Sequence, residues 1–192
     1  MKGNAVRITT KRELNEVLKV ERAFYPVGML IYLLQGSERA ILRKHQILLR
    51  KAEYYTNTRN WLLAAFYKLR LNLIQNRYAL HIPLNTCGKG LKIMHIGPIL
   101  INSNAKVGEY CSFHINTAVV AAGSSDGAPV IGNHVVIGIG AVILGNIKVA
   151  DYTAIGANAV VNKTVEEENI AVAGIPARKI SNNGNKSWNK KN

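Results

Sequence analysis

Two histidines lie where the sequence departs from its own regularity. His95 and His114 are 19 residues apart, and His114 directly follows the apolar Phe113. Imidazole has an unperturbed pKa of about 6.5, so near neutral pH it can take a proton from a hydroxyl group during a reaction. A single histidine is more often an ordinary surface or core residue. The joint placement of these two makes His95 a candidate general base.

The element that must position them is a repeat of six residues. Aliphatic residues recur at this spacing at Ile131, Ile137, Ile143, Val149, Ile155 and Val161. The spacing fits neither the 3.6-residue period of a helix nor the two-residue alternation of a strand. It is typical of a parallel β-helix, in which three hexapeptides form a coil of about 18 residues. A separation of 19 residues therefore predicts that His95 and His114 are neighbours on adjacent coils.

The repeat is interrupted twice. The period extends upstream to Ile101, but Ile93 lies eight residues before it, so the frame slips around His95. The polar stretch 123–129 is predicted to bulge outward as a loop. Functional residues concentrate at such departures, because a regular coil has no physical reason to break its own pattern.

The chain is predicted to have three parts. Residues 1–80 form an α-helical N-terminal segment, 81–180 form the parallel β-helix, and 181–192 form a disordered basic tail. One helical stripe is expected to pack on its neighbours rather than to form a membrane-binding or partner-binding face. Its residues are Trp61, Leu62, Ala65, Phe66, Leu69 and Leu73.

The charge is strongly asymmetric. The net charge is +14, and residues 1–81 contain 15 basic and 5 acidic residues. This balance fits either a solvated basic face or an anionic partner such as a membrane surface, a nucleic acid or a phosphate-bearing substrate. No signal peptide is recognisable, which favours a cytoplasmic protein, with peripheral contact to the inner face of the membrane through the basic helices.

Residues 87–180 resemble the hexapeptide-repeat acyltransferases. They are similar to serine acetyltransferases and more closely to the serine-acetyltransferase-like O-acetyltransferases of polysaccharide and capsule synthesis. Gly88-Lys89-Gly90 ahead of His95 matches the segment before the catalytic histidine of those families. The resemblance implies a mainly β fold, a left-handed parallel β-helix preceded by α-helices. It also implies a homotrimer with active sites between subunits.

The resemblance also implies the roles of individual residues. His95 is the general base of direct acetyl transfer from acetyl-CoA, and His114 positions the acceptor. Gly140 and Ala157 flank the pantetheine arm, whereas Lys163 and Arg178 lie near the nucleotide end. No metal and no nucleic acid are expected. The sequence leaves open which group holds the His95 ring: the candidates are the carboxylates after residue 81 and a backbone carbonyl.

Departures from the serine acetyltransferase pattern concern the acceptor. Met94, Leu80 and Ala128 stand where those enzymes have two aspartates and a second histidine. A buried ammonium or carboxylate without partners binds poorly. The expected acceptor is therefore a hydroxyl of a sugar, nucleotide-sugar or lipid-linked oligosaccharide in polysaccharide or capsule biosynthesis, with serine O-acetylation as the alternative.

Two other classes of protein are compatible with the repeat. A γ-class carbonic anhydrase would bind zinc between subunits through three histidines, and His134 is the third candidate beside His95 and His114. That family needs two histidines five residues apart, and this sequence has no such pair. A non-catalytic solenoid binding module would explain the basic charge but not the frame slip at His95.

Overall fold

The computed structural model describes residues 7–34, 36–123 and 127–188. The helices of the N-terminal part are α1 (Lys11–Ala23), α2 (Met29–Leu34), α3 (Glu38–Asn57) and α4 (Trp61–Tyr78). The side chains of Thr10, Ser37 and Asn60 accept hydrogen bonds from the first turns of α1, α3 and α4. Short polar side chains at these positions satisfy backbone N–H groups that have no partner within the helix, which is why these helices begin there.

Short strands follow, and they belong to three sheets. The strands are β1 (Leu80–His81), β2 (Lys92–Ile93), β3 (Ile99–Ile101), β4 (Lys106–Val107), β5 (Ser112–Phe113), β6 (Thr117–Val120), β7 (Val130–Ile131), β8 (Val136–Ile137), β9 (Val142–Leu144), β10 (Lys148–Val149), β11 (Ala154–Ile155), β12 (Val160–Val161), β13 (Ala171–Gly174) and β14 (Ala177–Ser181). The sheet orders are β1-β3-β6-β9-β12, β10-β7-β4 and β14-β13-β11-β8-β5-β2. Strands of successive coils are therefore neighbours in each sheet.

The aliphatic repeat positions form interior columns. Phe113 pairs in parallel register with Ile93 below and Ile137 above, and Ile137 pairs with Ile155. All four side chains are buried. The glycines between them allow the coils to approach closely, since a Cβ on Gly138 would lie 2.7 Å from the carbonyl oxygen of Ile155. The parallel β-helix that the spacing predicts is confirmed.

The helices close the lower end of the β-helix. The first coil has no coil beneath it, so its backbone groups need other partners. Side chains of α1, α3 and α4, together with Tyr25 just after α1, supply them. The hydrogen bonds join Glu21 to the N–H groups of Gly90 and Leu91, Tyr25 to both backbone groups of Ile93, Gln46 to Leu91 O, Arg50 to Cys87 O and Gly88 O, Glu53 to Asn85 N–H, and Gln75 to Ile82 O.

A buried ion network lies at the centre of this cap. Arg50 Nη2 is 2.7 Å from Glu21 Oε1, and Arg50 Nη1 is 2.9 Å from Glu53 Oε2. All three side chains are at most 2% exposed. Burial alone would lower the pKa of the Arg50 guanidinium, but the two carboxylates raise it, so Arg50 keeps its charge. The network joins α1, α3 and the first coil.

Helix α4 differs from its prediction. The stripe expected to pack on neighbours, which includes Trp61, Leu69 and Leu73, is exposed, whereas Leu71 and Ile74 of the opposite side are buried. The helix is apolar on both sides, so periodicity cannot tell which side meets the core. Among residues 7–34, 36–123 and 127–188, no helix is long and apolar enough to span a bilayer.

The C-terminal part also differs from its prediction. Residues 181–188, expected to be disordered, include the end of β14 and the helix α5 (Asn185–Trp188). Asn185 N–H donates to Tyr152 O, and Asn185 Nδ2 donates to His134 O. These bonds hold the segment against the coils although its sequence lacks apolar periodicity. Residues 189–192 and the centre of the predicted loop, 124–126, lie outside the described residues.

Candidate functional site

One edge of the β-helix carries most of the predicted site residues. This histidine edge is the bend between the six-stranded and five-stranded sheets, made of residues 94–98, 114–116, 138–141 and 156–159 in successive coils. His95, His114, Gly140 and Ala157 follow one another along it. Ile93 pairs with Phe113, so Met94 and His114 follow paired residues on adjacent coils, and His95 is the next residue of the lower coil. The predicted proximity of the two histidines agrees with this arrangement.

The frame slip at His95 is a bulge of the first coil. Ile93 pairs with Phe113 and Ile99 pairs with Thr117, so six steps along the first coil face four steps along the second. The two additional residues extend outward from the edge. The His95 side chain is consequently 62% exposed. A bulge of this kind presents a side chain to a ligand without disturbing the buried columns on either side.

A carboxylate from the helical segment meets the His95 ring. Glu38 is the first residue of α3, and its Oε2 lies 3.4 Å from Nδ1 of His95. Its Oε1 accepts the backbone N–H of Ile96 at 2.7 Å. The two oxygens of one carboxylate therefore contact both the ring and the bulge that carries it. Such a contact favours the tautomer with its proton on Nδ1 and leaves Nε2 free to accept a proton.

Glu38 is the group that sequence reasoning missed. The sequence predicts a carboxylate after residue 81 or a backbone carbonyl as the partner of the ring. Glu38 is 57 residues from His95 in the chain. No local spacing links a helix N-terminus to a bend of the first coil. Only the packing of α3 on that coil brings the two together.

His114 is in a different environment from His95. Burial, followed by the electrostatic influence of the neighbouring His95 and Lys92 side chains, lowers the pKa of the His114 imidazole. The ordinary value of about 6.5 is already below neutral pH, so His114 is uncharged at pH 7. It can therefore accept or donate a hydrogen bond to a neutral group beside His95. This suits the predicted role in acceptor positioning.

The upper part of the histidine edge is lined by small residues. Gly140 has a φ of +72°, a left-handed conformation that glycine adopts without strain, and Ala157 is exposed one coil above. A long flexible chain can lie against such an edge and pair its amides with the backbone. These residues fit the pantetheine arm that the resemblance implies.

The two predicted cations lie apart from each other. Arg178 is on β14, where it pairs with Ala173 in the coil above Gly156, so it is near the Ala157 end of the edge. Lys163 follows β12 and lies at the next bend, beyond the width of the five-stranded sheet. Of these two cations, only Arg178 is close to the histidine edge of its own chain.

The positions that differ from serine acetyltransferases are apolar in their surroundings too. Leu80 is fully buried in β1 and Ala128 is buried before β7. Met94 is partly buried beside His95. Neither Leu80, Ala128 nor Met94 could pair with a charged group of a bound amino acid.

His134 does not join the other two histidines. Its ring stacks between Tyr110 and Tyr152, with centroid distances of 5.1 and 4.6 Å. This ladder occupies the bend before the six-stranded sheet, whereas His95 and His114 occupy the bend after it. Among the described residues, no group of three or more His, Cys, Asp or Glu side chains could hold a metal ion. Within one chain, His134 therefore lies at a different bend from His95 and His114.

Comparisons with known proteins agree with the fold. Residues 128–163 match the bacterial transferase hexapeptide family, six repeats. The serine acetyltransferase of Synechococcus elongatus is 36% identical over 99 residues, which cover 50% of this chain and 40% of that protein. The chain thus spans less than half the length of this curated relative. In residues 128–163 the chain matches the hexapeptide transferase model, and over about half of its length it is similar in sequence to serine acetyltransferases.

Solved structures give the same result. A serine acetyltransferase from Brucella abortus in complex with coenzyme A has a TM-score of 0.65 and 26% identity, and covers 91% of this chain and 70% of its own. The enzyme of Neisseria gonorrhoeae in complex with serine has a TM-score of 0.64 at 23% identity, covering 89% and 70%. The predicted fold class, helices followed by parallel hexapeptide coils, is confirmed. The closer resemblance to the polysaccharide group finds no support among these relatives.

Proposed function

We propose that this protein is an acetyl-CoA-dependent O-acetyltransferase whose general base is His95. The observation that carries the proposal is the exposed His95 ring on a bulge, in contact with the Glu38 carboxylate, at the end of an edge of small residues. Similarity to serine acetyltransferases, one of them solved with coenzyme A, supports the same activity. A binding module would need neither the bulge nor a carboxylate at the ring.

The reaction is direct transfer. Nε2 of His95 takes the proton of the acceptor hydroxyl while the hydroxyl oxygen attacks the thioester carbonyl. Glu38 stabilises the imidazolium that forms. The tetrahedral intermediate then expels the thiolate of coenzyme A, which receives the proton from His95. Backbone N–H groups of a neighbouring coil would stabilise the oxyanion.

Coenzyme A would lie along the histidine edge above the two histidines. Gly140 and Ala157 leave room for the pantetheine arm. Arg178 supplies positive charge for the phosphates, where charge-assisted hydrogen bonds are strong. Lys163 can take part only if a second copy of the chain presents it at this edge.

Two acceptors are candidates. L-serine is favoured by the relatives, which are serine acetyltransferases. A neutral hydroxyl on a sugar, nucleotide-sugar or lipid-linked oligosaccharide is favoured by Leu80, Ala128 and Met94, which leave no partner for an ammonium or carboxylate at the positions those enzymes use. Glu38 is the nearest carboxylate, and it already contacts His95 and Ile96.

Release of coenzyme A tests both the activity and the acceptor. The protein is incubated with acetyl-CoA and either L-serine or a panel of sugar acceptors, and the free thiol is measured. Burial raises the pKa of Cys87 and Cys111 to about 12, so the protein's own thiols contribute little signal. We expect acetyl-CoA to raise the melting temperature, and saturable release with one acceptor class.

The outcomes separate the candidates. Turnover with L-serine at about 10 per second would identify it as the acceptor and exclude the sugar proposal. Turnover with sugars and only background hydrolysis with serine would identify a sugar as the acceptor and exclude L-serine. If acetyl-CoA does not stabilise the protein and no thiol is released, the proposed activity is contradicted. The binding module is then the remaining candidate.

We also propose that three chains assemble around the five-stranded sheet. Its outward side chains, apart from His81, are all apolar: Leu100, Ala118, Val120, Val142, Leu144 and Val160. By contrast, the outward face of the three-stranded sheet carries Lys106 and Lys148. The apolar face adjoins the histidine edge, so a neighbouring chain packed on it would complete the cleft.

Light scattering after size exclusion tests this assembly. We expect a mass three times the 21.1 kDa of one chain. Val142→Asp places a charge in the middle of the proposed interface and is expected to give single chains. Val130→Asp, at an outward position of the three-stranded sheet, is the matched control and should keep the mass of three. A wild-type mass of one chain at micromolar concentration would contradict the proposal.

A further inference from the structure

The helical segment exposes an extensive apolar surface. Nine large apolar side chains of α2 and α4 are at least half exposed: Met29, Leu30, Leu33, Leu34, Trp61, Leu62, Phe66, Leu69 and Leu73. We call this set the α2/α4 face. Proteins rarely leave so many large apolar groups in water without a partner.

Helix α4 shows why the surface is not a by-product of packing. Ala64, Leu71 and Ile74 already bury one side of the helix. Leu62, Phe66, Leu69 and Leu73 follow at intervals of four, three and four residues, so they form a second stripe on the opposite side. The core does not need this second stripe. Its spacing is that of a helix lying in an apolar boundary.

The two helices flank the same part of α3. Arg43 of α3 lies over the Tyr32 ring of α2, with 5.2 Å between the guanidinium carbon and the ring centroid. Its neighbour Lys44 is near α4: burial, and then the positive charge of Arg70, lowers the pKa of Lys44. Like charges are therefore held close together between the two apolar helices. An anion placed here would relieve their repulsion.

The charged side chains of α4 have one sign. Helix α4 carries Lys68, Arg70 and Arg77, and the sequence has no acidic residue between Glu53 and Glu109. A second copy of the face would bring cations against cations, which opposes self-pairing. A partner that is both apolar and anionic fits. A bilayer of anionic phospholipids has these two properties, with acyl chains below and phosphates above.

We propose that the α2/α4 face binds the surface of an anionic membrane, with both helices lying in the plane of the interface. Trp61 and Phe66 would insert at the boundary between headgroups and acyl chains. Lys68, Arg70 and Arg77 would contact lipid phosphates. Glu38 lies beside this face, because it lines the groove along α2 together with Leu30 and Leu34. Membrane binding would thus hold the His95 site close to the bilayer, whichever acceptor it uses.

Vesicle binding tests the proposal on the full chain. Co-sedimentation is measured with vesicles of phosphatidylcholine alone and with vesicles that also contain phosphatidylglycerol. We expect binding to the anionic vesicles and a decrease as salt is added, since salt screens the attraction. Equal binding to both kinds of vesicle, or none to either, would overturn the proposal.

Substitutions locate the binding surface. Arg70→Gln with Arg77→Gln is expected to lower partitioning about thirty-fold, since each cation near an anionic surface contributes roughly five-fold. Leu69→Asn with Leu73→Asn is expected to lower it at least about ten-fold. Ile180→Asn, which changes an exposed apolar residue of β14, is the matched control and should bind like the wild type. Unchanged binding by both double variants would assign the binding to another surface.

Tryptophan fluorescence tests membrane binding without changing any residue of the α2/α4 face. The chain has two tryptophans, so Trp188→Phe leaves Trp61 as the only one. A blue shift of its emission with anionic vesicles is expected, because the ring leaves water. A shift that instead follows protein concentration without vesicles would show that a second copy covers the face, and would reject the membrane proposal.

Discussion

Replacing His95 by alanine is expected to lower the rate of acetyl transfer by about two to four orders of magnitude, the usual contribution of a positioned general base. His95 is exposed, and its ring takes no part in the buried columns. The variant should therefore fold, assemble and bind acetyl-CoA as the wild type does. Steady-state coenzyme A release, measured with whichever acceptor the release assay identifies, gives kcat, and the shift of the melting temperature measures acetyl-CoA binding.

Two further variants assign the roles around His95. Glu38→Gln keeps the size of the side chain but removes the charge that stabilises the imidazolium, so a loss of kcat smaller than that of His95→Ala is expected. His114→Ala should affect KM for the acceptor more than kcat. A larger loss of kcat in His114→Ala than in His95→Ala would show that the base has been assigned to the wrong histidine.

Replacing Arg50 by alanine is expected to lower the free energy of unfolding by about 3–5 kcal/mol, the usual cost of removing one partner from a buried ion network. The variant leaves the buried carboxyl groups of Glu21 and Glu53 without the guanidinium that pairs with both. It also leaves Cys87 O and Gly88 O without their donors. The midpoint of urea unfolding, followed by circular dichroism, measures the change.

Two controls separate this effect from the loss of charge in general. Arg12→Ala removes an exposed pair with Glu16 and should change stability by less than about 1 kcal/mol. Replacing Glu21, Arg50 and Glu53 together by apolar residues removes the unpaired carboxyl groups as well. Because these side chains also bind the backbone of the first coil, we expect stability to stay below that of the wild type. Full recovery would show that the backbone contacts contribute little.

The sequence predicts the coils well because their signal is local. A residue such as Ile137 is inside because it lies six positions from Ile131 and Ile143, and every coil repeats that relation. The buried side of α1 can also be predicted from the sequence. Its buried residues, which recur at helical spacing, are Leu14, Val17, Leu18 and Glu21. In each case neighbours in sequence determine which side faces the core.

The features that the sequence does not predict depend on contacts between segments that are distant in the chain. Helix α4 is apolar on both sides, and only the presence of α3 decides that Leu71 rather than Leu69 is buried. Glu38 becomes the partner of His95 through packing across 57 residues. The order of residues 181–188 depends on Asn185 reaching backbone groups of two coils, which composition alone does not reveal. The histidine pair was predictable because the coil length fixes its separation.

The polar cap beneath the first coil has a consequence for how the chain folds. The six-residue units resemble one another, so they can stack in several offsets that each bury nearly the same apolar area. Apolar contacts alone therefore do not determine which unit becomes the first coil. Glu21, Tyr25 and Arg50 bind particular backbone atoms between Cys87 and Ile93, and a chain shifted by one unit would lose these bonds. The helices form from local contacts and can assemble first. They would then act as the template that fixes which segment becomes the first coil, and each later coil would inherit its offset from the one below.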